Sequence, residues 1–215
     1  MNKYNLGDVI SLTKSAAKNG FFNIVGVHAG TEHVNYPSLD HVRAARKLSE
    51  ACPYVYYGHH PHVIQGVETY KDSLIAHSLG NFSFDDTYTD TSGDKPLVTL
   101  TEQNRTGVVL ELTIDKNEVT AWKEQMIYIG RDGHISLMKD DGRLAKYNSG
   151  LKECEKNPEQ YSKSRQEVIN ARIAERKAMR NVVWVLKRLR PRFFRLIIDA
   201  KRNKRLYMEN VKYFI

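Results

Sequence analysis

The apolar run Tyr54-Val55-Tyr56-Tyr57-Gly58 is followed at once by His59, His60, Pro61 and His62. An unbroken stretch of aromatic and β-branched residues predicts a buried strand, and the glycine predicts its abrupt end. A strand that stops there presents the next residues at its carboxyl end, where open α/β sheets bind ligands. His60 and His62 are two positions apart, so an extended segment aims both rings the same way. Pro61 between them narrows the backbone choices. Neutral imidazoles converging on one point suit a transition metal.

Two further segments repeat the pattern. The strand-like run 22–27 ends at His28, with Gly30 close behind. The run 73–79 leads into Gly80 and Asn81. Each histidine also has a plainer reading as a hydrogen-bonded surface or core residue. The clustering of His60 and His62 raises the ligand reading there to equal standing with the plainer one. His28 alone is better explained by other, commoner imidazole roles. His33 has no supporting context. His41 falls in a helical pattern and His134 in a turn, so both are expected in solvent. His77 sits inside an apolar strand and is expected to be a satisfied interior residue.

The chain is expected to be α/β. Helical patterns over 5–18 and 38–51 alternate with strands, which predicts βαβ organisation. Residues 106–114 and 119–129 alternate about a turn at Asp115-Lys116-Asn117, which predicts an antiparallel hairpin. Residues 87–96 are polar and read as a loop. Cys52 and Cys154 are too few and too far apart for a disulfide framework, so a reducing compartment is the simpler expectation. No apolar signal core follows Met1, and no window has the length of a membrane-spanning helix. The expected location is cytoplasmic, with peripheral membrane attachment left open.

The succession Val27-His28-Ala29-Gly30-Thr31-Glu32, Pro37-Ser38, Gly58-His59-His60-Pro61-His62-Val63-Ile64-Gln65-Gly66 and Ser78-Leu79-Gly80-Asn81-Phe82 resembles the CapA family. These are capsule and poly-γ-glutamate synthesis proteins of the calcineurin-like metallophosphoesterase superfamily. The resemblance covers about residues 3 to 130. It implies the second half of an α/β/β/α metallophosphoesterase-like sandwich; with the helical, basic stretch that follows it, domains are expected at 1–140 and 141–215. It implies His28, His60 and His62 as ligands of a divalent metal (Mn, Zn or Fe), and Glu32, His59 and Asn81 as residues lining the site. His28-Ala29-Gly30 stands where the superfamily has His-Trp-Gly, so an aromatic wall is not expected.

The same resemblance brings a disagreement. The superfamily's early motifs supply an Asp and a Gly-Asp that hold and bridge the metals, and an Asn-His that protonates the leaving group. Only 27 residues precede His28 here, and Gly7-Asp8 falls in the first helical pattern. The expectation is therefore the second half of such a domain, with a vestigial metal site unless an N-terminal half or an oligomer partner completes it. Two-metal hydrolysis needs carboxylates, and three imidazoles hold one ion at most weakly. No catalytic residue is assigned. A noncatalytic membrane-peripheral or assembly component is the alternative.

After Asp140-Asp141-Gly142 the pattern turns helical. From Arg176 to Arg205 there are twelve basic residues and one acid, Asp199, in a chain whose net charge is +8. The positive charge therefore belongs to the tail. Trp184, Phe193 and Phe194 interleave with arginines there. Three readings stand: an amphipathic brace packing on the domain, a helix on anionic lipid through residues 176–215, or nonspecific phosphate attraction. No nucleic-acid motif accompanies the charge, so nucleic acid is the weakest of the three.

Overall fold

The structure, a computed structural model, describes residues 5–88, 96, 98–178, 198–203 and 205. The chain divides into two compact units, Met1–Arg165 and Gln166–Ile215. Trp184, Phe193 and Phe194, and most of the basic tail, lie outside the described residues. Among the described residues, no helix is long and apolar enough to cross a membrane.

The first unit is a mixed α/β fold with two sheets. Helix α1 (Leu6–Lys18) is capped by Asn5, whose Oδ1 accepts from the Gly7 N–H at 2.9 Å. It leads into β1 (Asn23–His28). Helix α2 (Leu39–Ser49) starts at Ser38, whose hydroxyl accepts from the His41 N–H. Strands β2 (Tyr54–His59), β3 (Val67–Tyr70) and β4 (Ser73–Ala76) follow. The first sheet has the order β1-β2-β4-β3; β1, β2 and β4 run parallel, and β3 is antiparallel to β4. The expected strand over 73–79 is thus shorter, and β3 was missed. Its four residues include the charged Glu68 and give too little alternation to register.

The second sheet is β5 (Thr106–Asp115), β6 (Glu118–Ile129) and β7 (Ile135–Leu137), all antiparallel. The hairpin is where the turn at Lys116 and Asn117 predicts it, and both residues adopt positive φ.

Alternation along β2 explains the layering. Tyr54 and Tyr56 turn to one face, where they pack with Ile75 against Ala45 and Leu48 of α2 and Val9 and Ile10 of α1. Val55, Leu74 and Ala76 turn to the other face and pack against Val108 and Met126 of the second sheet. Tyr54 is fully buried, and its hydroxyl donates to the Ala45 carbonyl at 2.7 Å. Burying each such side chain contributes on the order of 1.5–3 kcal/mol.

Helix α3 (Arg143–Glu153) and the start of α4 (Pro158–Ala178) close the unit. Leu151, Cys154 and Tyr161 bury against Val42 of α2. The polar centre beneath them is Arg46. Its guanidinium is bidentate to Glu68 (3.1 and 2.6 Å) and donates to the Leu151 carbonyl at 3.0 Å. His77 meets the same carboxylate at 3.1 Å. His77 is therefore the satisfied interior histidine expected of it. Both cysteines are free, as their spacing implied.

Candidate functional site

Parallel pairing puts the ends of β1 and β2 side by side, with His28 in register with His59. The loops that follow are stitched together. The Ala29 N–H donates to the His59 carbonyl (3.1 Å), and the His33 N–H to the Pro61 carbonyl (2.7 Å). Two buried amides clamp the next residues. Asn35 donates to the Ile64 carbonyl at 3.0 Å, and Gln65 to the Val34 carbonyl at 2.7 Å. Gly58 is required by close approach, since a Cβ there would collide with the backbone carbonyl of His77.

The structure brings the three expected ligands together. The rings of His28 and His60 lie 5.0 Å apart at 62°, and those of His60 and His62 lie 6.4 Å apart at 51°. They do not converge in the way an extended segment predicts. His60 has φ 96° and His62 φ 56°, so the chain coils through the left-handed region around Pro61. His33 also has positive φ, at 61°. Three histidines in one site thus hold a conformation that non-glycine residues rarely adopt. Among the described residues, no group of three or more His, Cys, Asp and Glu side chains is set to hold a metal ion. The donor set that the sequence leads one to expect is three imidazoles, His28, His60 and His62. That chemistry fits one borderline transition ion, not a carboxylate-bridged pair.

The strain gives a direct expectation. His60→Gly and His60→Ala both remove the ring, but only glycine relaxes the backbone. The glycine variant should be more stable than the alanine variant by about 1 kcal/mol, read from urea midpoints. Equal midpoints would show a relaxed backbone at this position.

Electrostatics favour the neutral form of two rings, His59 and His60. Burial, then neighbouring His28 and His62, lower the pKa of His59. For His60, burial lowers it most; Glu32 opposes that, and His28 and His62 add to it. Glu32 is exposed at the rim, near enough to act on His60. His59 stacks edge-on with Tyr57 at 5.8 Å. Asn81, buried, meets His62 Nδ1 with its Oδ1 at 2.9 Å. Phe84 lies 4.9 Å from the His62 ring.

Two sequence expectations for histidines need correction. His41 is half-buried rather than solvated, because α2 turns it inward, and burial lowers its pKa. His33, which had no context, is tied to the site through Asn104, whose Nδ2 lies 2.8 Å from its Nδ1. His134 is exposed as expected. Asn35 and Asn104 carried no signal in the sequence, and Gln65 none beyond its place in the Gly58–Gly66 motif. An isolated amide in a polar stretch reads as loop.

Comparison with known proteins bears on this geometry. Residues 4–86 match the model of a family described as bacterial capsule synthesis protein PGA_cap. The PGA biosynthesis protein CapA of Bacillus subtilis (strain 168) is 31% identical over 144 residues, 63% of this chain and 38% of that protein. The capsule biosynthesis protein CapA of Bacillus anthracis is 39% identical over 99 residues, 46% of this chain and 24% of that protein. An uncharacterized protein, y4sH, of Sinorhizobium fredii is 35% identical over 96 residues, 43% of this chain and 21% of that protein. The chain thus spans well under half the length of these relatives. The segment that matches, residues 4–86, carries β1, β2 and β4 with every histidine of the cluster, and over it the chain is similar to the CapA proteins of bacterial capsule synthesis.

Proposed function

We propose that this chain is a CapA-type component of capsule or poly-γ-glutamate biosynthesis, and that its histidine cluster is one half of a divalent-metal site in a calcineurin-like, metallophosphoesterase-type sandwich. The observation that carries this reading is the meeting of His28, His60 and His62 at the adjoining ends of two parallel strands. In this reading the three imidazoles take one Mn, Zn or Fe ion. A bound ion would supply Lewis acidity toward a phosphoryl oxygen. This chain's own part is to hold the imidazole donors in place, with Glu32, His59 and Asn81 at the edge of the site. Bridging carboxylates and a proton donor for the leaving group would come from a further segment or a partner. Alone, the chain binds metal loosely and turns over little.

Titration calorimetry with Zn²⁺ or Mn²⁺ tests the ligand assignment. His60→Ala and His62→Ala should weaken binding at least tenfold, while His134→Ala, altering a solvated ring, should not. Equal affinities in the His60 and His134 variants would defeat the assignment. Hydrolysis of bis-p-nitrophenyl phosphate should stay near background, because among the described residues no carboxylate joins the rings in a metal-holding group. A strong metal-dependent rate lost in His60→Ala would show a complete site within this chain.

One observation favours an assembly role alongside this. Among the described residues β1 pairs only with β2 and so forms the sheet edge. Beside that edge Phe21, Ile24 and Tyr57 are exposed. An apolar edge strand is a template for a further strand. The proposed occupant is the part of the sandwich that the longer relatives carry beyond the matched segment.

A further inference from the structure

The amides around the cluster can be oriented without ambiguity, and they determine where two ring protons sit. Asn81 donates from Nδ2 to the Asn104 backbone carbonyl at 2.9 Å. A backbone carbonyl only accepts, so this end of the amide is the NH₂ group. Its other end, Oδ1, faces His62 Nδ1 at 2.9 Å and can only accept. The proton between them must therefore belong to His62 Nδ1.

Asn104 is fixed in the same way, and it is 1% exposed. Its Oδ1 accepts from the Thr101 N–H (3.2 Å) and the Thr101 hydroxyl (2.7 Å). A backbone N–H only donates, so that end is the carbonyl oxygen. Its Nδ2 faces the His62 carbonyl at 2.8 Å and His33 Nδ1 at 2.8 Å. Both of its protons are thus committed. His33 Nδ1 must be the bare nitrogen, and the ring proton of His33 lies on Nε2.

We propose that Asn81 and Asn104 are positioning residues that hold His62 and His33 in opposite tautomers, leaving the Nε2 lone pair of His62 for an electrophile such as a divalent cation and making His33 Nε2 a hydrogen-bond donor. The tautomers follow from the hydrogen bonds alone. Their use rests on the proposed metal reading. A ring whose far nitrogen is tied to a fixed acceptor is oriented and more basic as a donor, and loss of such a support typically weakens metal binding about 10- to 100-fold.

The test is a long-range ¹H–¹⁵N correlation spectrum of the metal-free, ¹⁵N-histidine-labelled chain, recorded above the imidazole titration range. His33→Gln and His62→Gln assign the signals. His62 should show a protonated Nδ1 and His33 a protonated Nε2, each as a single form. Asn81→Ala should return His62 to the mixed tautomers of free imidazole. Asn81→Asp keeps an acceptor there and should preserve the Nδ1–H form. Asn104→Asp places an acceptor opposite His33 and should move its proton to Nδ1. Averaged or reversed tautomers in the unaltered chain overturn the inference, as does a His62 spectrum unchanged by Asn81→Ala. Zn²⁺ added to the same sample separates the two ideas. A perturbed His62 Nε2, with affinity at least tenfold weaker in Asn81→Ala, supports both. Correct tautomers with no response of Nε2 to Zn²⁺ defeat the metal reading and leave the amides' positioning role standing.

Discussion

Arg46→Met is expected to lower the unfolding free energy by about 3–5 kcal/mol, because it strands a buried carboxylate. The Arg46 and Glu68 side chains are 9% and 8% exposed. Glu68 keeps His77, but it loses two charge-assisted bonds, and the Leu151 carbonyl loses its donor. The loss approaches the whole stability of many domains. Arg46→Lys should fare only partly better, since an ammonium cannot bridge both oxygens and reach α3. The double variant Arg46→Met/Glu68→Met should recover much of the loss, because the carboxylate left without Arg46 is then Glu155, which is 47% exposed and solvated. A single variant with wild-type urea midpoint would show the pair to be dispensable. The same cluster has a pH signature. Burial alone would raise the Glu68 pKa, but the hydrogen bonds from His77 and Arg46 outweigh it and leave the carboxyl below its ordinary value of 4.5. Its unfolded form therefore takes up protons first as pH falls. The stabilisation is complete above the ordinary carboxylate range and disappears as pH drops through the depressed pKa. Stability of the Arg46→Met chain should depend less on acid over that window.

Gly58→Ala is expected to cost about 3 kcal/mol and to disable the histidine cluster together. The added methyl meets the His77 carbonyl, which is backbone and cannot rotate away. Strand β2 would have to separate from β4 at the point where it delivers His59 and His60. Overpacking a rigid site usually costs 1–3 kcal/mol, and a backbone obstacle lies at the upper end. Gly133→Ala is the useful contrast. Its position has open space, and only its φ of 80° opposes a side chain. It should lose about 1 kcal/mol, with Zn²⁺ affinity unchanged. A Gly58→Ala chain as stable as wild type would mean that the two strands part more easily than their packing implies.

The sequence exposed what is periodic or punctuated. The helices over 6–18 and 39–49 carry N-caps and a repeating apolar face, and the long hairpin carries its own turn. Strand β1 was legible although half its face is exposed, because Ile24, Val25 and Val27 are β-branched. Strand β3 was not, since four residues containing Glu68 gain their extended form from pairing with β4. In the site, His28, His60 and His62 were visible because they follow glycine-bounded apolar runs. Their relative placement was not. Left-handed φ at His60 and His62 is imposed by contacts from loops far along the chain, and no local rule predicts it. Asn104 shows the limit most clearly. Its identity is ordinary for a turn, and its role appears only when His33 and His62 are folded around it.

The two amides also say when the site can exist. Asn104 joins partners 71 and 42 positions away in sequence, and Asn81 one 23 away. Such bonds can close only after the two sheets have met, since the loops between them must first give up their entropy. The histidine cluster should therefore be among the last parts to form and among the first to open. Amide protons of Ala29 and His33, which stitch the two loops, are expected to exchange with solvent by local opening well before those of Ile75 in the central strand. Uniform protection across all three would mean that the site forms with the core. The metal ion proposed for this cluster would therefore lock a finished fold rather than start one.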